Sequence, residues 1–188
     1  MHTAAVLRLG LTEKGLTEII GLAEHVVSLC AGAEGLRIRP DVPDEPNGRP
    51  TELVAPCPED AVDTLVEIRN WTATALGVDR APVFWRVLAH QPRLLAATWA
   101  KDRLVLGPGE LDGSAKTCVA LAVAMFKQSP YWTSYLSQLV RRTANLDDAG
   151  LVELAGNVMH YVSYNTIAHG MRLEAPYHDM TAAAFAQR

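Results

Sequence analysis

The 188-residue sequence predicts an all-α fold of about seven helices. Three observations carry that expectation. Apolar residues recur at helical spacing along most of the chain. No segment shows the apolar–polar alternation of a half-buried strand. Most prolines gather in one connection or stand where helices begin, and they are absent from the interiors of the periodic runs.

The first element is "TEKGLTEIIGLAEHVVSLCAGAEGL", in which Leu16, Ile19, Ile20, Ala23, Val26, Val27, Cys30 and Ala33 fall on one helical stripe. Thr12 is its expected N-cap and Gly35 its expected stop. "RPDVPDEPNGRPTELVAPCPED" follows, with six prolines between positions 40 and 58. They forbid a regular helix, so this is an extended connection or a linker. Helical pattern resumes in "EDAVDTLVEIRNWTATALG". Pro82 and Pro92 then open "APVFWRVLAH" and "QPRLLAATWAKDRLVL". "GPGELDG" is a turn. "SAKTCVALAVAMFKQ" is apolar nearly all round, as a central helix is. "PYWTSYLSQLVRR" comes next, and Asp147 and Asp148 open the last long helix, "AGLVELAGNVMHYVSYNTIAHGM". The chain reads as one domain: a first helix in residues 1–39, the proline-rich connection 40–58, and the main helical core 59–188.

The first and last helices align without gaps at an offset of 135 residues, Leu11 standing against Leu146. Gly15/Gly150, Gly21/Gly156, His25/His160, Gly35/Gly170 and Arg37/Arg172 are identical. Shared glycines and histidines exceed what amphipathicity requires, so the reading is a duplication, with two equivalent helices about a pseudo-two-fold axis.

Composition narrows the function. With 49% apolar and 20% charged residues and a net charge of −4, the chain is an ordinary globular sequence. Its longest basic run is Arg141–Arg142, which argues against nucleic acid or an anionic membrane as partner. The first fifteen residues lack a signal-peptide core, and no run approaches the eighteen apolar residues of a membrane span, so the expected location is cytoplasmic. Cys30 and Cys118 lie in apolar runs and Cys57 lies between two prolines; no zinc spacing and no C-x-x-C occurs.

Residues 81–132, "APVFWRVLAHQPRLLAATWAKDRLVLGPGELDGSAKTCVALAVAMFKQSPYW", resemble the alkylhydroperoxidase AhpD / carboxymuconolactone decarboxylase family. "ANLDDAGLVELAGNVMHYVSYNTIAHGM" resembles the helix that follows in that family, and the first helix resembles a second copy of it. The resemblance implies an AhpD-like helical bundle and a homo-oligomer, a dimer, trimer or hexamer. Peroxidases of that family carry a Glu, a C-x-x-C whose first Cys lies twelve residues on, and a His four beyond the second Cys. The aligned positions here are Thr117, Ser129, Trp132 and Leu136. Ser129 cannot perform thiol redox chemistry and Leu136 cannot move a proton. The expectation is a redox motif with its sulfur removed. Pro130 and Tyr131 keep the "C-P-Y-C" spacing, and Trp132 fills part of the old site.

The repeat supplies a second clue. Val26, Cys30 and Glu34 of the first helix correspond to Tyr161, Asn165 and His169 of the last, spaced so as to share a face. Such polar groups belong to a satisfied interface network or to a ligand pocket beside residues 129–135. In the pocket reading Tyr131, Tyr161 and His169 are the catalytic residues. Ser129, Trp132, Tyr135, Asn165 and Thr117 contact the ligand. His160, matching His25, and His90 read as structural. His160, His169 and His178 lack the pairing a metal needs, and no phosphate loop is present, so no cofactor is expected. Three function classes follow: a cofactor-independent acid–base enzyme on a small organic substrate, a non-catalytic binding or structural oligomer subunit, and a haem or metal protein.

Overall fold

A computed structural model describes residues 7–8, 10–42 and 53–172. The described residues form seven helices: α1 Glu13–Gly35, α2 Asp63–Leu76, α3 Val83–Leu88, α4 Pro92–Leu106, α5 Gly113–Phe126, α6 Pro130–Thr143 and α7 Asp148–Gly170. No strand occurs among them. Most of the proline-rich connection, and His178, lie outside the described residues.

Helix α5 is the hub, as its all-round apolar sequence requires. It packs against α6, α1 and α7, while α1 also packs on α4 and α6, and α2 on α4 and α6. Lys116, Thr117, Ala120, Leu121 and Ala124 are its buried positions. The turn before α5 is clamped by α1: Glu18 accepts hydrogen bonds from the backbone N–H groups of Glu110 and Leu111. The buried Lys116 ammonium lies 3.3 Å from Glu18 and donates to the Gly107 carbonyl.

The prolines act where expected. Pro92 and Pro130 occupy first-turn positions of α4 and α6. Pro82 stands one residue earlier than that role requires, as the residue preceding α3.

Helix α1 buries Gly15, Leu22, His25, Val26, Leu29, Cys30 and Ala33. This is a rotation of the stripe read from the sequence. Ile20 and Val27 face outward, and His25 faces the core. The helix has apolar residues on most of its circumference, so spacing alone does not select the inner face; what the neighbours offer does. Its length and hydropathy would also suffice to cross a bilayer, yet here its inner face forms part of the core. The helix ends at Gly35 as expected, but the left-handed residue is Arg37, with φ 51°.

The first and last of these helices share several local features. α1 and α7 are both 23 residues long. The side chains of Thr12 and Asp147 cap them identically, accepting from the N–H of Gly15 and of Gly150. Leu11 and Leu146 lie against the Cα of Gly15 and Gly150 so closely that an added Cβ would clash at 2.8 Å in both cases. Arg37 and Arg172 share φ 51°. The two helices differ in what covers them. α7 packs chiefly on α5 and has no buried residue, although it carries Val152, Met159, Tyr161, Val162, Tyr164 and Ile167 on its surface.

Candidate functional site

The α5–α6 junction is a helix stop followed directly by a helix start. After α5, Gln128 adopts φ 53°, and the Ser129 N–H reaches back to the Ala124 carbonyl, closing the turn. Pro130 then begins α6. Ser129 precedes that helix but does not cap it. Its hydroxyl donates to Glu34 Oε1 of α1 at 2.9 Å.

Inside the junction the side chains are densely packed aromatics. Trp132 is 2% exposed. Its ring meets Phe84 at 5.0 Å, Tyr131 at 5.2 Å and Tyr135 at 5.3 Å, each edge to face. Trp85 continues the stack to Trp99, and Trp99 to Trp71, so all four tryptophans form one chain of rings. The Tyr131 hydroxyl accepts from the Phe84 backbone N–H at 3.2 Å. Burial, and then the negative charge of Asp41, holds the Tyr131 phenol well above its ordinary pKa. Burial, and then Asp102, does the same for Tyr135. Neither phenol is disposed to give up its proton near neutral pH.

Among the residues read from the sequence, the structure therefore gathers Ser129, Tyr131, Trp132 and Tyr135 into one buried cluster, with Leu136 beside it. Thr117 is elsewhere. It sits in the first turns of α5, at the opposite end of that helix from Ser129, and its hydroxyl lies 3.1 Å from that of Thr143. Tyr161, Asn165 and His169 lie in the C-terminal half of α7 and are exposed. The enclosed cavity next to Trp132 and Tyr135 has no lining residue from α7. Within one chain, then, the aromatic cluster and the α7 residues are not brought together around a common space.

A second concavity does involve α7. The outer face of α5 (Val119, Ala122, Val123, Phe126) and α7 (with Tyr161 and Asn165) flank a groove of about 370 Å³, almost wholly apolar. His169 is not part of its wall. His160 stacks edge to face on Tyr164, 4.4 Å between centroids.

The three cysteines are free thiols at three separate places. Cys30, on the α1 face beside Ser129, is the one close to the junction. Burial pushes its thiol above the ordinary pKa; the Ser129 hydroxyl opposes that shift and the Glu34 carboxylate adds to it. A buried, protonated thiol is a poor nucleophile. Among the described residues, no group of three or more His, Cys, Asp and Glu is placed to hold a metal ion.

The sequence reading missed one pair. His25 Nε2 lies 3.2 Å from Asp102 Oδ1, both side chains buried. The signal was present but ambiguous: a histidine on an apolar stripe and an aspartate in the helix "AATWAKDRL" reveal their partnership only once α1 and α4 are packed.

Comparison with known proteins supports the architecture. The fold matches the crystal structure of the alkylhydroperoxidase AhpD core from Rhodospirillum rubrum with a TM-score of 0.60, covering 69% of this chain and 97% of that one at 20% identity. No family model matches the sequence, and no curated protein matches it. The protein has an AhpD-like all-α fold, as the resemblance in its sequence implied.

Proposed function

We propose that this chain is an AhpD-like protein that works without thiol redox chemistry and binds a small organic molecule in the groove between α5 and α7. The observation that carries the binding role is the groove itself. Its volume, about 370 Å³, falls within the range of small-molecule sites, its wall is apolar, and Asn157, Tyr161 and Asn165 supply the few polar groups that orient a ligand. Loss of the thiol function is supported by Ser129 and Trp132, which occupy the positions aligned with a dithiol in a packed aromatic core.

Acid–base turnover by Tyr161 and His169 is the second reading. Eight helical residues separate them by about 12 Å, so one small substrate does not touch both within a single chain. Binding is accordingly the stronger role. A thermal-shift screen of small aromatic and carbonyl compounds tests it. A hit on the native protein that is lost in Tyr161→Ala and Asn165→Leu supports the groove. Hits that survive both substitutions place the ligand elsewhere.

The working unit in this proposal is a homo-oligomer, with a second copy of the chain covering α7. That helix exposes a row of large apolar side chains and bears no Lys or Arg between Asp148 and Gly170. At the 135-residue offset Tyr161 and Tyr164 align with Val26 and Leu29, which α1 buries inside the fold. A second copy laid on α7 would also close the open side of the groove. Light scattering on the purified protein should give a dimer or larger, and Ile167→Asp should reduce it to a monomer. A native monomer would remove the second copy from the account.

A further inference from the structure

The cavity beside Trp132 carries chemistry that the groove does not. Its free volume is about 10 Å³ for the centre of a water-sized molecule, room for one. His25 comes to its wall from α1, Trp85 from α3, Asp102 from α4, and Trp132, Tyr135 and Leu136 from α6. His25 is 1% exposed. Its Nε2 is spent on Asp102. A carboxylate only accepts, so Nε2 carries a proton, and in the neutral ring Nδ1 then keeps its lone pair. Nδ1 has no hydrogen-bond partner, and neither has the indole N–H of Trp85 or that of Trp132. Three polar atoms of three residues lining one small cavity are thus buried and unsatisfied, a situation native cores avoid.

We propose that these atoms form a binding site for one small, neutral, protic molecule, which is water in the resting protein. The complement is specific. Water can donate one proton to the bare Nδ1 while its two lone pairs accept from two indole N–H groups. An apolar gas offers neither function. The proton on Nε2 and the acceptor on Nδ1 are set by Asp102, which makes it a positioning residue for His25. The remaining titratable group on the wall is Tyr135, whose hydroxyl stays protonated there. Duplication alone does not produce the site: His160, the counterpart of His25, is exposed and stacks on Tyr164. The site uses nothing from α7 and stands or falls independently of the groove.

Two measurements on the full chain decide it. In a high-resolution crystal structure the expected result is an ordered water about 3 Å from His25 Nδ1 and from at least one of the two indole nitrogens. In ¹⁵N-histidine NMR the expected result is a neutral His25 with its proton on Nε2, and cross-relaxation between a bound water and the Trp85 or Trp132 indole proton. An empty cavity, a proton on Nδ1, or indole protons with no contact to water would each overturn the proposal. His25→Phe should abolish the bound water. If that variant does not fold, Trp132→Phe keeps an aromatic ring but removes one donor, and the water should lose that contact; a water whose position and contacts are indifferent to Trp132 would count against the site.

Discussion

Ser129 donates its hydroxyl to Glu34, linking the residue that precedes α6 to the last turn of α1 across 95 positions of sequence. Ser129 thereby gives up the capping role its position offers. The bond ties the α5–α6 junction to α1 and gives the buried Ser129 hydroxyl an acceptor. Ser129→Ala should cost about 0.5–1.5 kcal/mol, toward the low end because Glu34 is exposed. Chemical denaturation checks it; a variant as stable as the native protein would make the bond incidental.

Trp132 holds the aromatic cluster together, touching Phe84, Trp85, Tyr131 and Tyr135. Trp132→Ala should destabilise by about 3–5 kcal/mol, and Trp132→Phe by much less. Equal effects of the two would mean that the ring is not packed as described.

Glu18 confers a definite pH dependence. The N–H groups of Glu110 and Leu111, with Lys116 adding to them, lower its pKa from 4.5 to about 2. Its folded-state value lies below its unfolded one, so its stabilisation is complete above about pH 4.5 and is lost as pH falls toward 2. Native protein should lose stability across that window more steeply than Glu18→Gln, which should start lower and change less. Parallel curves for the two proteins would refute the clamp.

The capping bonds of α1 and α7 predict comparable costs, with Thr12, which also donates to Glu110, costing no less than Asp147. Thr12→Ala and Asp147→Ala each remove the acceptor for one helical N–H. Each should lower stability by about 1 kcal/mol, read as a shift in the denaturation midpoint. An effect at Thr12 with none at Asp147 would indicate that α7 contributes little to the cooperative unit.

Much of this architecture was legible in the sequence because it rests on local chemistry. Thr12, Asp147 and Pro130 mark helix starts through capping and fixed φ, and the 135-residue offset is visible as letters before it is visible as matched helices. The inner face of α1 was not legible. A helix apolar on most of its circumference can bury either Ile20 or His25, and the choice depends on Asp102, which is 77 residues away. For the same reason the candidate site divided. Ser129, Tyr131, Trp132 and Tyr135 are close in sequence and converge. Their distance from Tyr161, Asn165 and His169 is set by how α7 lies on α5, which periodicity does not report.

The most direct measurement is hydroperoxide reduction by the purified, fully reduced protein supplied with a dithiol reductant. If Ser129 and Trp132 stand where the sequence resemblance sets a dithiol, and with burial pushing the Cys30 thiol above its ordinary pKa, turnover should not exceed the protein-free rate, and alkylating the cysteines should change nothing. Turnover well above that rate, abolished by alkylation or by Cys30→Ser, would contradict the claim that this scaffold operates without sulfur.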